Sequence, residues 1–471
     1  MSRVPGPPGV FELYMYLPVK RRNAFCPFPY SASRRSAIGA GLAMAANIAP
    51  FYMYEETWSY FNAACNKSVT SRLSSVAGTD QSQLEPSLYQ HGAEILWPLH
   101  LAQHPLRTQD PAKASTFVVA AYLGLNARGL CGGENATKRN VNFLTSFLEA
   151  SPWYRRRKGS DHIMVLTDCH APTKSFDALM RNMCWGKQIT TAIFYHETGI
   201  PKENMVPIPL VAYPAESVPL WHDRKIKVYF GGATHGQGVA YVPRRHLVKF
   251  HWNISNMVFS SSSTISVVSM GRNPCADGKK PTPRPCVLGV TELCSPCYMS
   301  PCSFVDELMS DGCVAHFNQT FSKPSMARML KCQYNLAWPG DHGVHSVSSR
   351  IYDGIAAGMI NVFLGSSIVD STVGFQKHIP WREMSIIVGT DEFAKLKIRA
   401  IEDKIKLEES NMTRMQERLT LMRRYAPDIL WMHPQSRVAE NVIRSCEANW
   451  KARRARLELH TGLLDFNFGT W

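Results

Sequence analysis

The sequence predicts an α/β protein in two halves, each built on a parallel sheet. Three observations carry that prediction. From Ile48 onward, short apolar runs of strand length alternate with longer amphipathic runs. The short runs are apolar at consecutive positions, the pattern of a strand covered on both faces. Finally, 471 residues exceed one ordinary core, and Pro201 to Pro219, dense in turn signals, divides the alternating region in two.

In chain order, residues 1–47 mix Pro, Gly, Arg and Ser and read as a leader or disordered segment. Across its end, Ala37 to Pro50 is the nearest candidate for a membrane span, but it is short and interrupted by Asn47; it reads as a buried or linker segment, with a degenerate signal segment as the alternative, and no membrane-spanning helix is predicted. Strands are predicted at Thr116–Leu123, His162–Thr167, Thr191–Phe194, Met205–Val211, Ile226–Phe230, Thr264–Ser269, Met359–Leu364 and Met384–Val388. Helices are predicted at Glu55–Cys65, Pro86–His104, Arg139–Ala150, Pro243–Trp252, Lys323–Cys332 and Arg350–Ala357. A long charged helix is expected over Lys395–Arg424, with Ile398, Ile401, Ile405 and Leu407 on its buried side.

The net charge of +15 favours anionic partners: nucleotides, nucleic acid, anionic polysaccharides or membrane surfaces. No nucleic-acid-binding motif accompanies it, so no nucleic acid is expected. Of thirteen cysteines, six crowd between Cys275 and Cys313 among Pro, Gly and Ser, the pattern of a disulfide-stapled insertion. Cys294-Ser-Pro-Cys297 leaves half a zinc site as the alternative, without a second ligand pair at the right spacing. Sequons at Asn66, Asn135, Asn253, Asn318 and Asn411 agree with an oxidising, secretory compartment.

Chemistry is expected beyond the carboxyl ends of the strands. Asp168-Cys-His170 follows one predicted strand, and Gly231-Gly232-Ala-Thr-His235 follows another, where glycine admits a phosphate close to the backbone. The stretch "WPGDHGVHSVSSRIYDGIAAGMINVFLG" (338–365) places Gly340, Asp341, Ser348, Ser349, Arg350 and Asp353 around one predicted helix start. Ser348 or Ser349 caps the helix and Gly358 ends it, while Ile351 and Ile355 face the sheet. Arg350 and Asp353 then lie one turn apart, a guanidinium for a diphosphate and a carboxylate for a ribose diol. The alternative is an i,i+3 ion pair that only stabilises the helix.

That stretch resembles the signature of the exostosin family of glycosyltransferases (glycosyltransferase family 47), in which a phrase like "FCLxPxGD…SxRxx[DE]A[IL]xxGCIPV" lies in the nucleotide-binding domain. The matching residues are Leu336, Pro339, Gly340, Asp341, Ser348 or Ser349, Arg350, Asp353, Ile355, Gly358, Ile360 and Val362. Other blocks occur in the family's order: "PFYMYEETWSYFN", "PLRTQDPAKASTFVVAAYL", "SDHIMVLT", "ENMVPIP", "RKIKVYFGG" and "FQKHIPWREMSIIV". Asn335 and Met359 stand where the family has two cysteines, as if a paired contact had been replaced together, and Asn361 stands at the family's proline. "TDCHAP" replaces a phrase like "THDxG".

The resemblance implies the GT-B class, two Rossmann-like domains with parallel sheets facing a cleft. The implied division is an acceptor domain at 48–215, a nucleotide-sugar domain at 222–400 with a Cys-rich insertion at 272–315, and a helical tail at 401–471 packing across both. It further implies inverting transfer of a sugar from a nucleotide sugar, a UDP-sugar as co-substrate, to a glycan or polysaccharide acceptor in the Golgi lumen. The chain has no D-x-D motif, so no metal is expected. The donor is assigned to Arg350, Asp353, Ser349, Ser348, Gly340, Asp341, Gly231, Gly232 and His235, and the general base to Asp168 or His170. The rival reading is a non-catalytic glycan-binding or accessory subunit, possible as a homo- or hetero-oligomer.

Overall fold

The structure, a computed structural model, describes residues 48–65, 91–127, 131, 133–167, 189–193, 204–212, 215, 217–224, 226–231, 265–268, 326, 329–337, 348–396 and 398–465. The first half begins with β1 (Phe51–Met53), α1 (Glu55–Ala64) and α2 (Ala93–Ala102). It continues through β2 (Thr116–Val119), α3 (Leu123–Ala127), α4 (Gly133–Ala150) and α5 (Pro152–Arg156). β3 (His162–Val165), β4 (Thr190–Ile193) and β5 (Met205–Pro207) complete its sheet. The second half holds β6 (Ile226–Gly231), β7 (Ile265–Val268), β8 (Cys332–Ala337), α6 (Ser349–Ala356) and β9 (Ile360–Leu364). After α7 (Ser367–Ser371) and α8 (Trp381–Met384) comes its last strand, β10 (Ile386–Val388). Four helices close the chain: α9 (Thr390–Leu396), α10 (Ile398–Glu409), α11 (Met412–Ile429) and α12 (Val438–Asp465).

Each half is a five-stranded sheet in which every pairing is parallel, ordered β1-β2-β3-β4-β5 and β10-β9-β8-β6-β7. This is the α/β, GT-B arrangement of two Rossmann-like sheets. β2, β3, β4 and β9 are buried at every position, as strands covered on both faces must be. All eight predicted strands are present, and β1 and β8 are added to them.

Three predicted elements are corrected. The Lys323–Cys332 helix does not reach its predicted end, because Cys332 opens β8 and pairs with Ile226. The long helix over Lys395–Arg424 is three helices: α10 ends before Ser410, and the Asn411 side chain caps α11 by accepting from the Arg414 N–H at 3.0 Å. The proline-rich stretch is no loose linker in its middle. It contains β5, and Ile208, Leu210, Val211 and Ala212 after it are buried.

The ends of the first sheet are used differently. α12 crosses its amino edge: Glu447 accepts from the Thr116 hydroxyl at 2.8 Å, Arg453 donates to the Thr190 hydroxyl at 2.6 Å, and Asn449 donates to the Met205 carbonyl at 3.1 Å. The halves meet instead beyond the carboxyl ends of β5 and β9. There the Phe375 N–H donates to the Pro207 carbonyl at 3.2 Å, and Trp431 Nε1 donates to the Pro209 carbonyl at 2.8 Å. Among the described residues no helix is long and apolar enough to cross a membrane, and no cluster of three or more metal-ligating side chains occurs.

Candidate functional site

In the second half the chain runs from β6 out to β7, then crosses back over β6 to lay down β8, β9 and β10. That reversal leaves a crevice beyond the carboxyl ends of β6 and β8, the place where open parallel sheets bind ligands. Gly231 is the last residue of β6, and α6 starts with the first residues described after β8. Topology thus places Gly231, at the end of β6, and α6, which follows β8, on neighbouring strands. Gly232, His235, Gly340 and Asp341 lie outside the described residues, as do Asp168 and His170 of the first half.

The start of α6 is held by named contacts. Ser348 is its N-cap, extended at φ −101° and ψ 141°, and its hydroxyl accepts from Arg350 Nε at 2.8 Å. Ser348 thus caps the helix, while Ser349 is its first residue. Both Ser349 and Arg350 are half-buried in the first turn, at the positive end of the helix dipole. Asp353 is buried, and burial pushes its carboxyl up to about 7, against the hydrogen bond from Ser349 and the charge of Arg350. Ser348, Ser349, Arg350 and Asp353 lie within the first two turns of α6, and Ile351 and Ile355 are buried on the sheet side.

Two side chains not assigned to the site fix that helix start. Asn335 on β8 donates to the Arg350 carbonyl at 2.8 Å, Asn361 on β9 donates to the Ile351 carbonyl at 3.0 Å, and Asn335 donates to Asn361 Oδ1 at 2.6 Å. Asn335 thus contacts Asn361, not Met359. Met359 packs instead with Tyr229, Met329 and Cys332. At the far end, Gly358 takes φ +68° and Arg224 donates to the Ala357 carbonyl at 2.8 Å, closing the helix.

The carboxyl edge of the first sheet carries a second polar cluster. Glu94, in the first turn of α2, is 1% exposed, and burial raises its carboxyl to about 7 despite its hydrogen bonds. Its Oε1 accepts from the Gly124 N–H at 2.9 Å, the Thr167 N–H at 2.8 Å and the Thr167 hydroxyl at 2.7 Å. Its Oε2 accepts from the Leu125 N–H at 3.2 Å, and His91 Nδ1 lies 2.7 Å from the Thr167 hydroxyl. Sequence reasoning missed this cluster; the available signal was one acid inside the apolar run Gly92-Ala-Glu94-Ile-Leu-Trp. His162, in the "SDHIMVLT" block, is core: it stacks on Phe117 and bonds Tyr54 at 2.9 Å and Asp161 at 2.9 Å.

The Exostosin GT47 domain model matches residues 49–405. The Arabidopsis thaliana protein "Probable xyloglucan galactosyltransferase GT17" is 32% identical over 82 residues, which is 17% of this chain and 18% of that protein. Among solved structures, a glycosyltransferase from Rickettsia africae ESF-5 aligns over 79% of this chain and 96% of its own, at 10% identity and a TM-score of 0.37. A UDP-forming trehalose-phosphate synthase from Burkholderia xenovorans aligns over 78% and 85%, at 12% identity and a TM-score of 0.37. The fold class rests on the two parallel sheets themselves, and the family on the match across most of the chain. The chain belongs to the exostosin GT47 family of glycosyltransferases.

Proposed function

We propose that the chain transfers a sugar from a UDP-sugar to a glycan or polysaccharide acceptor, with inversion and without a divalent metal, in the Golgi lumen. The observation that carries this reading is the start of α6 at the β6/β8 crevice, with Ser348, Ser349, Arg350 and Asp353 gathered on it. A diphosphate there would meet the Arg350 guanidinium and the first-turn N–H groups, and Asp353 would accept from a ribose diol. The same groups would stabilise the charge that develops as the diphosphate leaves. Inversion requires a base on the acceptor side, for which Asp168 or His170 in the first half is the candidate. A Cys65–Cys131 disulfide supports the secretory compartment. The xyloglucan galactosyltransferase relative makes galactose and a xyloglucan-like acceptor the first pair to try.

Calorimetric titration with UDP and a panel of UDP-sugars, with and without divalent metal, tests the reading. Wild type is expected to bind UDP without metal, and Arg350→Ala to lose about 1.5–3 kcal/mol, roughly ten- to a hundredfold in Kd. Equal affinity in a folded Arg350→Ala protein removes Arg350 from the site. No binding of any UDP species by wild type shifts the weight to the accessory-subunit reading.

A further inference from the structure

The turn between α10 and α11 carries Asn411-Met412-Thr413, an acceptor pattern for N-linked glycosylation. All three residues are exposed, and so are Ser410 before them and Arg414 after. Burial separates this sequon from the one at Asn135 in α4. There Ala136 and Thr137 are buried, and the Thr137 hydroxyl donates to the Asn126 carbonyl at 3.0 Å. Asn66, Asn253 and Asn318 lie outside the described residues.

The two amide atoms of Asn411 suit different tasks. Its Oδ1 caps α11, accepting from the Arg414 N–H at 3.0 Å. An N-linked sugar is attached through Nδ2, so glycan and cap use separate atoms of one amide. The turn also lies on the far side of its sheet from the donor crevice. Glu409, at the end of α10, pairs with Lys227 near the start of β6. Further along α11, Arg418 donates to the Glu383 carbonyl at 2.7 Å and to the Ser385 carbonyl just before β10. Those are the amino ends of strands, whereas the crevice lies beyond the carboxyl ends of β6 and β8. A glycan on Asn411 therefore grows from the opposite edge.

We propose that Asn411 is an N-glycosylation site and that its first sugars cover an apolar turn of the surface. Met412 is its neighbour and Leu407 precedes it by about one helical turn; they are 53% and 62% exposed, among the most exposed large apolar side chains described. A bulky, solubilising group between them shields both from water. The proposal rests on the secretory-compartment reading above. In the step, Asn411 Nδ2 gives up one proton and bonds to the anomeric carbon of N-acetylglucosamine. The bond from that carbon to the diphosphate of a lipid-linked oligosaccharide breaks, and its electron pair leaves with the lipid diphosphate. The cell's glycan-transferring enzyme brings that donor, and the chain supplies the amide and the Thr413 hydroxyl that the pattern requires.

Trypsin isolates the site, because cleavage after Lys406 and Arg414 releases Leu407–Arg414 with this sequon alone. The full chain is expressed in a eukaryotic secretory host, once with its own N-terminus and once behind a cleavable secretion signal, and that peptide is weighed by mass spectrometry. In the secreted, signal-led chain most copies of the peptide should carry a glycan. Asn411→Asp, which keeps a capping oxygen, and Thr413→Ala should carry none, whereas Thr413→Ser should keep it. An unmodified peptide in the secreted, signal-led chain overturns the site. A glycan in the signal-led chain but none in the chain with its own N-terminus supports the site and is a failure of the secretory reading instead. The cover is read with a fluorescent dye that binds exposed apolar surface. Folded Asn411→Asp should bind at least about twofold more of it than the glycosylated wild type. Equal dye binding overturns the cover.

Discussion

Replacing Gly354 by alanine should destabilise the protein, although the same change in an ordinary helix interior stabilises by about 1 kcal/mol. Gly354 lies in the middle of α6, and a Cβ there would stand 2.6 Å from Asn335 Nδ2 and 2.7 Å from Asn361 Oδ1. Carbon prefers roughly 3.5 Å or more, so both amides must retreat by close to an ångström. They cannot do so together and keep their 2.6 Å hydrogen bond, and both are almost fully buried. Leaving a buried amide group unpaired costs about 1–3 kcal/mol, and forcing a methyl into packed surroundings costs a similar amount. Set against the gain in helix propensity, the net loss is about 1–5 kcal/mol. Urea unfolding of Gly354→Ala measures it, and Gly354→Ala combined with Asn335→Ala supplies the control. Room opened at 335 should make the pair less destabilising than the sum by at least about 1 kcal/mol. A Gly354→Ala protein as stable as wild type, or more stable, would refute the clamp. Because the clamped carbonyls belong to Arg350 and Ile351, weaker UDP binding should accompany the lost stability.

Two further outcomes are expected. Glu94 and Asp353 each rise to about 7 on folding, from 4.5 and 3.8, so between those limits the folded state binds more protons than the unfolded one. Their contribution to stability is complete below the unfolded values and is lost as pH rises through about 7; Asp353→Asn should make the decline from pH 5 to pH 8 shallower by about 2–3 kcal/mol in urea unfolding, and an unchanged slope counts against a buried, protonated Asp353. Cys65 and Cys131, 66 residues apart, join the end of α1 to the approach of α4, and replacing both by serine should cost about 4 kcal/mol in the chain-entropy account; labelling of both thiols in denatured, unreduced protein would remove that bond.

Much of the fold was legible because its strands are buried on both faces, and such strands write themselves as continuous apolar runs. β8 was not, because Asn335 interrupts its run, and that asparagine is there for a contact made across the sheet. β1 was missed for a different reason: only Phe51 to Met53 pair, too few residues for a periodic signal. At the site, the cap, stop and sheet-facing side of α6 were readable since each depends on residues within ten positions of one another. Glu94 was not, because its partners lie 30 to 73 residues away and meet it only once β2 and β3 are in register.

The Asn335–Asn361 pair shows what separates a family pattern from a contact. Two positions changed together, 335 and 359, suggest a swapped pair when read along the chain. The parallel register sets Asn335 directly opposite Asn361, so the pleat sends both side chains to the same face, onto α6. Met359 precedes the strand and turns toward Tyr229 and Cys332 instead. The substitution at the proline position is therefore the one that completes the clamp. A proline at 361 would supply neither an amide for Asn335 nor a donor for the Ile351 carbonyl. Asn335 and Asn361 should consequently behave as a unit. Either one alone as alanine strands its partner in the core and loosens the helix start that carries Arg350, whereas removing both leaves no orphaned amide between the strands.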